Sequence, residues 1–285
     1  MAHAGAVDLS FAAILAVVAV GFASGVLSGM VGIGGATVTT PGIRFLGATP
    51  IEAVGSTIPA ILPGAVAGSI RYSREGLVEW RVASVSGAVG AGFAVLGAWL
   101  SDIVNAHLLM VVTAGLLGSS AIKMLREVRA TPAAALRSTA SGPDPVPPAP
   151  DGTDEPSGTP RHRSFPLLAA VGAGSGALAG LLGVGGGLVL VPGFTHLLDL
   201  PVKRAVATSL VAVAIFSVPA MVTHAVLDHI NWSYALLLMV GVVPGARAGA
   251  RFTIRGSDAR LKLIAGTLFA VVAVVYGGRE LLELL

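Results

Sequence analysis

Apolar residues in this chain fall in long runs separated by short polar gaps. Runs at 9–31, 53–70, 82–101, 105–125, 165–183, 205–227, 233–253 and 260–277 reach or approach the roughly 20 residues that a helix needs to cross a bilayer. Two shorter runs, 36–47 and 187–198, follow glycine clusters and are too short to span alone. The pattern predicts an all-α integral membrane protein with eight long apolar helices and two glycine-broken half-helices, eight to ten membrane segments in all. Residues 130–163 interrupt it with eight prolines, four acids and almost no large apolar side chain. Such a segment cannot bury enough surface to fold, which predicts a disordered linker between an N-terminal repeat (9–129) and a C-terminal repeat (164–285).

The two flanking segments carry one unit twice. GFASGVLSGMVGIGGATVTTPG from Gly21 aligns with GAGSGALAGLLGVGGGLVLVPG from Gly172 at a constant offset of 151. After one inserted residue near Arg204, Ala53–Thr57 meets Ala205–Ser209, Trp80 meets Trp232, and Gly97-Ala98 meets Gly249-Ala250. Chance glycine bias does not hold one register over some 80 residues.

Composition strengthens the membrane reading. The chain is 54% apolar and 12% charged, with a mean hydropathy of +0.84. A soluble domain carries about 25% charged residues, so this one lacks the polar surface to coat a water-soluble body. The first ten residues lack the basic segment of a secretory signal, so the first run reads as an uncleaved helix. The net charge of +3 does not point to nucleic acid, because the basic residues lie in short gaps between apolar runs.

Those gaps decide orientation. If each glycine-broken segment crossed once, the basic residues would divide ten to eight. If each turns back to its starting side, the repeats become inverted and sixteen Lys/Arg share the linker side, leaving Arg44 and Arg279 opposite. The second arrangement obeys the positive-inside rule. It predicts a multi-pass protein of the inner (plasma) membrane with both termini outside and a cytoplasmic linker.

Candidate chemistry concentrates at the glycine clusters. Glycine costs about 1 kcal/mol relative to alanine inside a helix, so Gly32, Gly34 and Gly35, and Gly183, Gly185, Gly186 and Gly187, should end their helices within the membrane. New half-helices beginning near Ala36, Thr37 and Leu188 would present unpaired N–H groups and a positive dipole end to an anion. Matching interruptions in inverted halves point to a transporter's substrate site. Ser56-Thr57 and Thr208-Ser209 could add hydroxyl donors, or equally bond the preceding helical turn. The stripes Gly21/Gly25/Gly29, Gly172/Gly176/Gly180 and Gly241/Gly245/Gly249 read as helix-packing surfaces. His224, Arg71 and Arg247 are candidates for coupling or gating; the competing readings are an interfacial structural histidine and, for Arg247, snorkelling to the cytoplasmic surface. Trp80 and Trp232 read as interfacial belt residues.

The chain has no cysteine, no Ser/His/Asp constellation, no paired carboxylates, no metal-ligand spacing and no phosphate loop. We therefore expect neither enzyme activity nor a cofactor or metal. The expected partners are a small anion and the lipid bilayer, and a homodimer is compatible with this.

VGIGGATVTTPG and LGVGGGLVLVPG, each followed by an A-V-x-[ST]-[ST] element and a [RH]-…-W segment, resemble the sulfite exporter TauE/SafE family. The resemblance covers nearly all of the chain outside residues 1–8 and the linker. It implies export of sulfite, sulfoacetate or a related organosulfonate, with the clustered glycines and the Ser/Thr pairs as the anion site. The long Pro-rich loop departs from the family pattern. A membrane scaffold that docks a partner through this loop is the alternative of a different class.

Overall fold

The computed structural model describes residues 10–126 and 165–255, apart from 106, 107, 117, 124 and 184, and scattered helical positions between 263 and 278. The expected linker at 130–163 lies outside the described residues, as does most of the run at 260–277. The helices are α1 (Phe11–Val31), α2 (Ala36–Phe45), α3 (Pro50–Arg74), α4 (Trp80–Ile103), α5 (Leu108–Lys123), α6 (Phe165–Leu182), α7 (Gly187–His196), α8 (Val202–Val226) and α9 (Trp232–Arg255). Among the described residues there is no strand. Six helices, α1, α3, α4, α6, α8 and α9, are long and apolar enough to cross a membrane. α5 covers part of the expected crossing at 105–125, of which 106, 107, 117 and 124 lie outside the described residues.

The register of the duplicated sequence carries over to the elements. The bounds of α2 plus 151 give those of α7, and the bounds of α3 and α4 plus 152 give those of α8 and α9. Local chemistry sets several of these ends. At α3, Thr49 Oγ1 accepts from Glu52 N–H at 3.4 Å while Glu52 Oε2 accepts from Thr49 N–H at 2.9 Å. Pro50 occupies the first turn, where its missing N–H costs nothing.

Glycine stripes decide which helices pair. A Cβ at Gly21, Gly25 or Gly29 of α1 would lie 2.6, 2.3 or 2.3 Å from the backbone oxygen of Leu238, Val242 or Ala246 of α9. Gly241, Gly245 and Gly249 make the reciprocal approach to Val18, Phe22 and Val26. Gly172, Gly176 and Gly180 of α6 lie equally close to Ser86, Gly90 and Ala94 of α4. The backbones touch because the side chains are absent, which gives helices in lipid their dispersion contacts. The packing reading of all three stripes therefore holds. Residue numbers rise together along each pair, so α1 runs parallel to α9 and α6 parallel to α4. Each first helix thus packs on a helix of the other half.

α3 and α8 occupy the middle and cross in opposite directions, with Gly68 near Leu210 and Gly55 near His229. Tyr72, Phe216 and Leu210 are fully enclosed there. Phe11, Trp99, Val226 and Phe252 instead stand on the outer faces, which a bilayer would cover. Trp80 and Trp232, at the first positions of α4 and α9, are also exposed, as a belt residue would be.

Candidate functional site

α1 and α6 each stop at a glycine in the left-handed region, Gly32 at φ 76° and Gly183 at φ 64°. Gly34 (φ 87°), Gly35 (81°), Gly185 (80°) and Gly186 (62°) keep the chain in conformations that side chains disfavour and turn it back. α2 then returns along α1: Gly35 lies against Ser24 and Ser28, and Gly42 against Val20. α7 returns along α6, with Gly186 against Ser175 and Gly193 against Val171.

The two breaks meet. A Cβ at Gly34 would lie 3.2 Å from Gly185 O, and one at Gly187 would lie 2.2 Å from Gly32 O. Val213 flanks Gly34 and Ile61 flanks Gly185, each near the middle of its 25-residue helix. Both half-helices therefore begin at mid-bundle, where their dipoles converge.

Gly32 N–H is bonded to Ser28 O at 2.8 Å, and Gly187 N–H to Gly185 O at 2.7 Å. Among the described residues, the N–H groups of Ile33, Gly34, Gly35, Ala36 and Thr37 have no acceptor, and neither do those of Gly185, Gly186 and Leu188. Three buried hydroxyls nearby are also unpartnered: Ser28 Oγ, Thr37 Oγ1 and Ser175 Oγ. Segments 31–43 and 181–195 contain no ionisable side chain, so the local field comes from backbone dipoles and hydroxyls. Successive unpaired N–H groups in such turns are of the kind that can form an anion-binding concavity. Ser24, Ser28 and Ser175 escaped the sequence reading. Ser24 and Ser175 are 151 apart, and Ser24 Oγ donates to Gly35 O. That doubled serine inside a glycine stripe was the available signal.

The Ser/Thr pairs sit beside this centre and are engaged. Ser56 Oγ accepts from Asn231 N–H at 2.8 Å, and Thr208 Oγ1 from Glu79 N–H at 3.1 Å. Each thus holds the residue before a long helix of the opposite half. Thr57 Oγ1 donates to Ala53 O at 2.9 Å and lies 3.3 Å from Thr40 Oγ1. Ser209 Oγ lies 2.9 Å from both Gly32 O and Val206 O, so it reaches the break itself.

The coupling candidates separate. Arg71 pairs with Glu75 at 3.2 Å, while its Nε is buried without a partner. Arg247 is exposed on the outer face of α9, as a snorkelling side chain would be. His224 is fully buried in the last turn of α8: its Nε2 lies 3.0 Å from Gly180 O and its Nδ1 lies 3.1 Å from His229 Nδ1.

The family described as "Sulfite exporter TauE/SafE" matches residues 17–276. The chain belongs to that family. Among its relatives, "Probable membrane transporter protein" of Xylella fastidiosa (strain 9a5c) is 27% identical over 259 residues, 90% of each chain. "Probable membrane transporter protein YunE" of Bacillus subtilis is 25% identical over 244 residues, 82% of this chain and 86% of the relative. A relative from Methanocaldococcus jannaschii with the same description is 20% identical over 277 residues, 90% of this chain and 92% of its own. No solved structure matches. TauE/SafE membership and these relatives make the protein a multi-pass membrane transporter.

Proposed function

We propose that the protein exports a small sulfur oxyanion or organosulfonate across the cytoplasmic membrane, as a secondary transporter built from two inverted repeats. The observation that carries the site is the meeting of the two glycine breaks at mid-bundle. At the two breaks eight N–H groups and three buried hydroxyls have no partner among the described residues, and neither segment carries an ionisable side chain. These are donors without acceptors, which is what an anion supplies. A neutral substrate would leave most of them unsatisfied.

The inverted relation is supported by helix direction. α1 parallels α9, α6 parallels α4, and α3 opposes α8, so equivalent helices of the two halves run oppositely. In this arrangement Arg71, Arg74, Arg81, Lys203, Arg204, Arg247 and Arg251 share one end of the bundle, and Arg44 lies toward the other. The positive-inside rule assigns the first end, with the linker, to the cytoplasm.

Ile61 and Val213 lie against the glycine breaks, and in this reading alternating access moves α3 and α8 against the pairs α1–α9 and α4–α6. An anion leaving a negative-inside cell gains about 2.3 kcal/mol per charge per 100 mV, enough to drive export without ATP.

The test is uptake of sulfite, sulfate, taurine and sulfoacetate into proteoliposomes, comparing the natural chain with Gly186→Leu. Saturable transport of sulfite or sulfoacetate, lost in the variant, is the expected result. Transport of taurine alone, or an unaffected variant, would overturn the assignment.

A further inference from the structure

Beside the glycine break of the second half lies a chain of polar contacts that the anion site does not use. It runs from Gly180 O to His224 Nε2 (3.0 Å), from His224 Nδ1 to His229 Nδ1 (3.1 Å), and from His229 Nε2 to Asp102 Oδ1 (3.0 Å). Both imidazoles are buried, and the Asp102 side chain is 54% exposed. The chain therefore leads from the protein surface to the last turn of α6, two residues before it stops at Leu182.

A carbonyl oxygen only accepts, so His224 Nε2 carries hydrogen; a neutral His224 then has a bare Nδ1, and His229 Nδ1 must donate to it. A neutral His229 would in turn face the Asp102 carboxylate with a bare Nε2, acceptor against acceptor. Three links need three protons, and two neutral imidazoles bring two. An array with all three links made as hydrogen bonds would therefore hold one added proton, between His229 and Asp102.

The other half shows that architecture alone does not require it. Tyr72, equivalent to His224, donates its hydroxyl to Gly29 O at 2.7 Å, and Gly29 is equivalent to Gly180. Leu77 and Ile254 stand where His229 and Asp102 have their counterparts. A tyrosine ties the helix end without titrating, whereas the second half spends two histidines and a carboxylate on the same carbonyl.

We propose that Asp102, His229 and His224 form a one-proton binding site, loaded from the end of the bundle opposite the linker, that couples proton uptake to anion movement at the adjacent glycine break. This rests on the anion-transporter reading above. Loss of the proton breaks one of the three links: either His229 parts from Asp102, or His224 turns its donor away from Gly180 O, a carbonyl at the helix end that has few alternative donors. The other ionisable groups around the array are Asp228, beside His229 in the turn, and Glu52 at the start of α3, which is engaged with Thr49 and Asn231. α6 contributes none.

Two measurements on the full-length protein decide the matter. Histidine ¹⁵N spectra between pH 5 and 9 should show the two rings taking up one proton jointly, with both signals altered by Asp102→Asn. Two rings that titrate independently, or that ignore Asp102→Asn, overturn the site. In proteoliposomes with the membrane potential clamped, a one-unit pH gradient should shift the steady-state distribution of sulfoacetate about tenfold for one coupled proton. Asp102→Asn and His229→Gln should abolish that shift, with accumulation normalised to exchange at equal pH. A distribution indifferent to the gradient, or unchanged in the variants, overturns the coupling. If neither sulfite nor sulfoacetate is moved, the anion reading fails, and the spectra still decide the proton site.

Discussion

Thr37→Val separates an anion site from a packing device, because the two ideas predict opposite signs. Thr37 is the second residue of α2, is 1% exposed, and its Oγ1 has no partner. A buried hydroxyl left unsatisfied costs roughly 1–3 kcal/mol. Valine keeps the shape and removes that cost, so the anion-free protein should become more stable by about 1 kcal/mol or more. For a chain of this size that is a rise in Tm of about 2–4 °C per kcal/mol. With anion bound, the same substitution removes a hydrogen bond to a charged acceptor, worth roughly 1.5–3 kcal/mol. Affinity should then fall about 10- to 150-fold. The assay is thermal unfolding of purified protein in lipid nanodiscs over a series of anion concentrations, read for both the anion-free Tm and the concentration dependence of its rise. General damage lowers stability and affinity together and cannot imitate this pattern. A variant with lower anion-free Tm and unaltered anion dependence would refute the role of Thr37.

Other perturbations test the remaining parts. In Gly25→Ala a methyl group would sit 2.3 Å from Val242 O, forcing α1 from α9; stability should drop by about 1–3 kcal/mol in a melting curve while anion affinity holds. Gly35→Leu should instead abolish transport, since its φ of 81° and the neighbouring Ser24 leave no room at the break; retained transport would make the clusters packing devices. Cysteines introduced at Ala4, Ala149 and Leu285 should label from outside, inside and outside, and an inside-facing Ala4 together with an inside-facing linker defeats the inverted arrangement. Deleting residues 135–158 should leave transport nearly intact, whereas a docking scaffold would lose its role.

Much of the architecture was legible because it depends on local composition and on doubling. The half-helices Ala36–Phe45 and Gly187–His196 start where the glycine clusters end, and the 151-residue offset already aligned them. The stripes announced close packing, although nothing in a stripe names its partner helix. The Ser/Thr pairs were harder. Ser56 and Thr208 accept from Asn231 and Glu79, 175 and 129 residues away, and no local pattern separates such a bond from one to the preceding turn. The place of His224 near a helix end was legible, but nothing local showed that the turn after α8 folds His229 onto it and that α4 brings Asp102. Because this array breaks the repeat, the comparison of halves that revealed the glycine site passed over it.

The exchange of partners between halves has a consequence for biosynthesis. Gly21 is made 217 residues before Leu238, the residue that it touches. At about 5–20 residues per second, α1 waits roughly 10 to 40 s for its mate. Throughout that interval its glycine groove is bare to lipid or to the insertion machinery, and α6, made after α4, meets no such delay. A ribosome that stops before Trp232 leaves the glycine groove of the first helix permanently uncovered. That groove therefore marks an unfinished chain, and the membrane's quality-control proteases could read it as one.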